Sequence, residues 1–132
     1  MHLDGIVLTY MSAWSETDDG ERRALLEKCW NENGMYTDPT GDFIGREALC
    51  QHIGAFLRRY TGHHFLLASG VNQHHGWLRF GWVLIRPDGS KLMEGCDFGA
   101  VDANGRLQSI RGFFGPLPAV ASAWPEELVS KN

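Results

Sequence analysis

Apolar positions recur three and four residues apart in three successive stretches of the chain, and then give way to alternation. In the first stretch Val7, Tyr10, Met11 and Trp14 fall on one face behind Asp4, which can cap a helix. The polar run Ser15–Gly20 separates it from a second helix, whose inner stripe is Leu25, Leu26, Cys29 and Trp30. Glu21, Arg22, Glu27 and Lys28 face outward, and Asn33-Gly34 stops this helix. Met35–Asp38 reads as a short extended piece broken at once by Pro39-Thr40-Gly41. The clearest helical period follows, Leu49, Ile53, Phe56, Leu57 and Tyr60, and predicts a third helix over 46–60 that Thr61-Gly62 ends.

Beyond this point the period shortens to two. Strands are expected over Phe65 to Gln73 and Trp77 to Ile85, with Pro87-Asp88-Gly89 as the next turn. Met93 to Gly115 then reads as a hairpin closed at Asp102-Ala103-Asn104-Gly105, where Asn-Gly supplies positive φ angles. Helices followed by meandering strands define an α+β domain, a curved antiparallel sheet wrapped against N-terminal helices. Parity assigns the inward face to Phe65, Leu67, Ser69 and Val71; to Leu78, Phe80, Trp82 and Leu84; and to Asp97, Val101, Ile110 and Phe114. Arg79, Arg86, Lys91 and Arg111 fall on the other face.

The length of 132 residues suits one domain, here residues 1–132 with a Pro- and Ala-rich tail over 116–132. A net charge of −4, with basic pairs only at Arg22-Arg23 and Arg58-Arg59, lacks the positive stripe that nucleic acid requires. No apolar run approaches the roughly 20 residues of a membrane span, and the N-terminus is a poor signal peptide. Cys29, Cys50 and Cys96, odd in number and without CxxC spacing, read as reduced thiols; a cytoplasmic location is expected.

Three polar groups carry the candidate chemistry. Asp97 sits mid-strand among Gly, Val, Ile and Phe, so it must find a partner or take up a proton. Asp38 ends a strand before Pro39, and Tyr10 lies on the core face of the first helix. If that helix covers the sheet, the three converge at the mouth of an apolar cavity. A carboxylate, a neutral acid and a phenol so placed can move a proton next to a carbonyl. Trp14, Trp30, Phe56, Phe80, Trp82, Val101 and Phe114 are the candidate apolar lining, and a small apolar molecule the expected partner. The adjacent pairs His63-His64 and His74-His75 lack metal-ligand spacing, so no metal is expected. His74 and His75 read as polar turn residues or a pocket base, and His52 as exposed. Neither a glycine-rich phosphate loop nor a GxSxG nucleophile motif is present, and no cofactor is indicated.

The order of elements, DPTG at Asp38–Gly41, FIGREAL at Phe43–Leu49 and GCDFGAVDANGRLQSIRGFFG at Gly95–Gly115 resemble the nuclear transport factor 2-like (NTF2-like) superfamily. Within it the chain is most similar to the SnoaL-like group. The resemblance implies a cone-shaped α+β fold with an apolar cavity, a homodimer formed through the outer sheet face, and a cofactor-independent isomerase or cyclase. In the similar pattern of ketosteroid isomerase, Asp38 falls on the proton-shuttling base and Asp97 on the protonated acid of the oxyanion hole. The phenol donor falls on Tyr10 or, one turn later, is replaced by Trp14, because the segment between Tyr10 and Asp38 is longer here. The competing expectation is a cone that binds a ligand or a protein without catalysis.

Overall fold

The computed structural model describes residues 2–131. The described residues form three α-helices, α1 (Leu3–Ala13) and α2 (Asp19–Cys29) at the start of the chain and α3 (Arg46–Arg59) after the first two strands. Asp18 caps α2 through its carboxylate, which accepts from the Glu21 N–H at 2.8 Å. Asp4 lies inside the first turn of α1, after the N-cap residue His2, and is not itself the cap. Arg22, expected outside, is buried. Its guanidinium donates to the carbonyls of Glu16, Thr17 and Cys50 and pairs with Asp19, tying the α1–α2 loop to α3.

Seven strands form one curved, open sheet: β1 (Trp30–Asp38), β2 (Gly41–Ile44), β3 (His64–Leu67), β4 (Asn72–His74), β5 (Trp77–Ile85), β6 (Lys91–Val101) and β7 (Leu107–Phe114). Their order is β2-β1-β7-β6-β5-β3, with β4 also paired to β5. The sheet is mixed, not wholly antiparallel, because β1 runs parallel to β7. Such a pairing needs a long crossover, here α3 and everything up to β6, and leaves no short-range trace in sequence.

Two boundaries differ from the sequence reading for local reasons. The second helix ends at Cys29, and β1 starts at Trp30; Asn31, Glu32 and Asn33 lie within the strand as its polar part. The stretch from Phe65 to Gln73 is two strands, because Ser69 breaks the ladder. Its hydroxyl accepts from the Gly81 N–H at 2.7 Å and donates to the Gly70 carbonyl, which leaves Ser69 exposed. The core lies between the helices and the concave face, with Val7, Leu26, Leu49, Ile53, Leu84, Leu107 and Ile110 fully buried or nearly so. Residues 116–131 run as a solvent-exposed tail with one 3-10 turn, Glu126–Leu128. No described helix is long and apolar enough to cross a membrane.

Candidate active site

Three adjacent strands deliver two carboxyls to one level of the sheet. In the β6–β7 register Asp97 stands opposite Gly112. In the parallel β1–β7 register Thr37 stands opposite Arg111, so Asp38 reaches the same row on the far side of Gly112. The missing side chain there is what admits both acids. A methyl built on Gly112 would lie 2.9 Å from Asp97 Oδ1 and 3.6 Å from Asp38 Cβ.

The two acids have opposite surroundings. Asp97 is buried, and its Oδ1 accepts a 2.9 Å hydrogen bond from the Trp82 indole N–H. Burial pushes its pKa up to about 7; the indole hydrogen bond opposes this rise and the nearby Asp38 charge adds to it. Near neutral pH a large share of Asp97 is therefore a neutral acid able to donate. Asp38 is enclosed by donors. Oδ1 accepts from the Thr40 N–H at 2.7 Å and from the Thr40 hydroxyl, and Oδ2 accepts from the Tyr36 hydroxyl at 2.6 Å. His52 Nε2 lies 3.7 Å from the same Oδ2. Burial alone would raise the Asp38 pKa, but the hydrogen bonds from His52, Thr40 and Tyr36 outweigh it and hold the carboxyl well below the usual range.

Both acids face a cavity of about 410 Å³ whose wall is mainly aromatic and aliphatic. Its volume falls in the range of small-molecule sites. Tyr10, on α1, closes the inner end with a ring stacked on Trp30 (centroids 5.6 Å apart) and edge-on to Phe80 (6.5 Å). Its hydroxyl is buried and has no hydrogen-bond partner. Burial, followed by the Asp97 charge, raises its pKa well above the ordinary phenol value, so it stays protonated. Leaving a buried hydroxyl unpaired costs about 1–3 kcal/mol, and an acceptor on a bound molecule would remove that penalty.

Of the residues singled out from sequence, Asp38, Asp97, Tyr10, Trp14, Phe56, Trp82 and Phe114 all line this cavity. Trp30, Phe80 and Val101 do not. Trp30 and Phe80 are packed behind Tyr10 and fix its ring, so they are core, not wall. Val101 lies at the hairpin end of β6, paired with Leu107, whereas the cavity follows β6 the other way, past Met93 and Leu92. His74 ends β4 and His75, with φ 52°, opens the tight turn that follows; both are exposed and away from the cavity wall. His52, expected to be exposed, lines the cavity beside Asp38. Tyr36, which the sequence pattern does not single out, lines it as well. Both had a signal: Tyr36 is two residues before Asp38 on the same strand face, and His52, Phe56 and Tyr60 repeat every four residues along α3.

No family model matches the chain, and no curated protein does. Solved structures do. A SnoaL-like family protein from Agrobacterium tumefaciens, described as a candidate isomerase, is 33% identical with a TM-score of 0.82, covering 88% of this chain and 100% of that one. The chain belongs to the SnoaL-like family of the nuclear transport factor 2-like fold. A protein of that fold and of unknown function from Cytophaga hutchinsonii is 15% identical, with a TM-score of 0.65 over 88% of this chain and 92% of that one. A candidate SnoaL-like polyketide cyclase from Jannaschia sp. CCS1 is 11% identical, with a TM-score of 0.66 over 83% of each chain. The last two show shared fold only.

Proposed function

We propose that the protein binds a small apolar molecule bearing a carbonyl or enol oxygen and transfers a proton at the carbon beside it. One observation carries this reading: two carboxyls of opposite proton affinity flank Gly112 and face a single apolar cavity. Asp97, while protonated, and the unpaired Tyr10 hydroxyl are the donors to the oxygen on which charge develops. The proton acceptor belongs at the Asp38 corner, with Asp38 the residue matched by the family pattern. Trp14 contributes a ring to the wall, edge-on to Phe56 and Phe65. Three unpaired thiols suit a cytoplasmic setting.

A thermal-shift screen tests the binding half. Cyclic ketones and phenols are expected to raise the melting temperature, and Tyr10→Phe and Asp97→Ala each to reduce that shift. Equal shifts from hydrocarbons of the same size would contradict it. Turnover of a ketosteroid with an unconjugated double bond tests the catalytic half, with Asp97→Ala expected to lower the rate by about 10²–10³.

A second reading, ligand binding without turnover, is favoured by the number of donors already held by Asp38. Binding with no conversion of any ketone offered would support it.

Homodimerisation through the outer sheet face is also proposed. Phe113 and Phe98 are 62% and 41% exposed there, with ring centroids 5.9 Å apart, flanked by Arg79 and Arg111. Sedimentation at twice the chain mass is expected, and Phe113→Glu should yield a monomer; a monomeric parent would refute the proposal.

A further inference from the structure

We infer that His52 is the group that takes the proton in this cavity, and that Asp38 is the positioning residue that holds and charge-balances it. The inference rests on the functional reading above and assigns its base.

The first observation is that donors hold both oxygens of Asp38. Oδ1 accepts from the N–H and hydroxyl of Thr40 and Oδ2 from the Tyr36 hydroxyl, so three hydrogen bonds already stabilise the ionised carboxylate over its protonated form. A carboxylate stabilised in this way is a weak base whatever its distance from substrate.

The second is the setting of His52. Nε2 faces Asp38 Oδ2 at 3.7 Å. The ring stacks on Phe43 with centroids 4.0 Å apart and an interplanar angle of 19°, meets Trp14 at 87° and lies tilted against Tyr36. Contacts from α1, β1 and β2 thus leave the imidazole little freedom to rotate. Nδ1 has no hydrogen-bond partner among the described residues, and the side chain lines the cavity with Phe56 and Tyr60 of its own helix. The titratable groups around it are Asp38 and Tyr36 on β1, Tyr60 on α3, and Tyr10 and Asp97 across the cavity. Of these groups, Asp38 is the carboxylate that faces the ring directly. A proton taken up by the ring would place a positive charge with its Nε2 3.7 Å from the Asp38 carboxylate, which is what makes Asp38 its charge-balancing partner.

The step balances without a further reactant. The Nδ1 lone pair takes a proton from the carbon next to the carbonyl. The C–H electron pair becomes the enol C=C bond, and the carbonyl pair moves onto oxygen, where Tyr10 and Asp97 donate hydrogen bonds. The imidazolium then returns its proton to a conjugated carbon, and both substrate charge and His52 are restored.

The experiment uses the full chain with ¹⁵N-labelled histidine and 2-naphthol, a phenol whose ionised form absorbs at longer wavelength than the neutral one. In the parent, binding is expected to give naphtholate absorption together with an imidazolium ¹⁵N pattern at His52. His52→Gln should bind naphthol in neutral form, with naphtholate absorption at least tenfold weaker; Asp38→Asn should show an intermediate signal. Naphtholate absorption that survives His52→Gln and disappears in Asp38→Asn would overturn the inference. Absence of naphthol binding by the parent counts against the functional reading instead. The assignment of His52 is then read from the ligand-free parent: a single Nε2–H tautomer that becomes mixed in Asp38→Asn supports it, and mixed tautomers in the parent overturn it.

Discussion

Replacing Asp97 with asparagine is expected to make the protein more stable than the parent at about pH 8, by as much as roughly 4 kcal/mol, and to make little difference at about pH 4. Asparagine keeps the shape of the neutral acid and can still accept the Trp82 indole N–H. The native Asp97 carboxyl has its pKa at about 7, whereas the unfolded chain returns it to an ordinary value near 3.8. Between those limits the folded protein holds a proton that the unfolded chain releases. Stability therefore falls as pH rises through this window and levels off above it. Each pH unit of the window is worth about 1.4 kcal/mol, which sets the total. Asp38 acts in the opposite direction and at lower pH: its carboxylate is favoured by folding, so its contribution is present above about pH 4 and is lost on further acidification. Urea denaturation of parent and variant across pH separates the two effects. A constant stability difference from pH 4 to 8 would contradict the burial of a titrating Asp97.

Gly95→Ala is expected to cost about 3 kcal/mol or more and to release Asp97 from its indole partner. Gly95 stands between Trp82 on β5 and Phe114 on β7. A methyl there would overlap the Trp82 ring and sit 2.5 Å from the Phe113 carbonyl oxygen. Neither neighbour yields easily. The indole is held edge-on between Phe65 and Phe114, at 5.4 and 5.8 Å, and the carbonyl belongs to a strand in the ladder. Displacing the ring removes the one donor that restrains the Asp97 pKa, so its proton affinity should rise further. The matched control is Gly70→Ala, where an added methyl meets nothing within 4 Å. Denaturation curves and the Trp82 indole N–H resonance report the outcome; a variant as stable as the control, with that resonance unmoved, would contradict the packing described.

Much of the architecture follows from local pattern. The α3 period, the Asp102–Gly105 turn and the inward parity of Asp97 are all short-range features, and the structure contains each. What local pattern could not supply was pairing across distance. Nothing near Trp30 or Leu107 announces that β1 and β7 run in parallel, yet that register is what places Asp38 beside Gly112 and Asp97. Inward parity also fails to separate core from cavity wall. Phe80 and Trp82 share one face of β5, but Phe80 ends behind Tyr10 while Trp82 reaches the cavity. The same limit applies to His52, which helical periodicity puts outside. The stripe through Leu49 and Ile53 marks the buried side of α3, whereas the cavity touches the flanking row of His52, Phe56 and Tyr60.

The most direct measurement is a ¹³C NMR titration of the Asp97 and Asp38 carboxyl carbons in the unmodified protein. The expected result is a midpoint for Asp97 at about 7, with Asp38 remaining ionised down to the acid limit of the folded state. Titration of both carboxyls together near the ordinary aspartate value, about 3.9, would contradict the account.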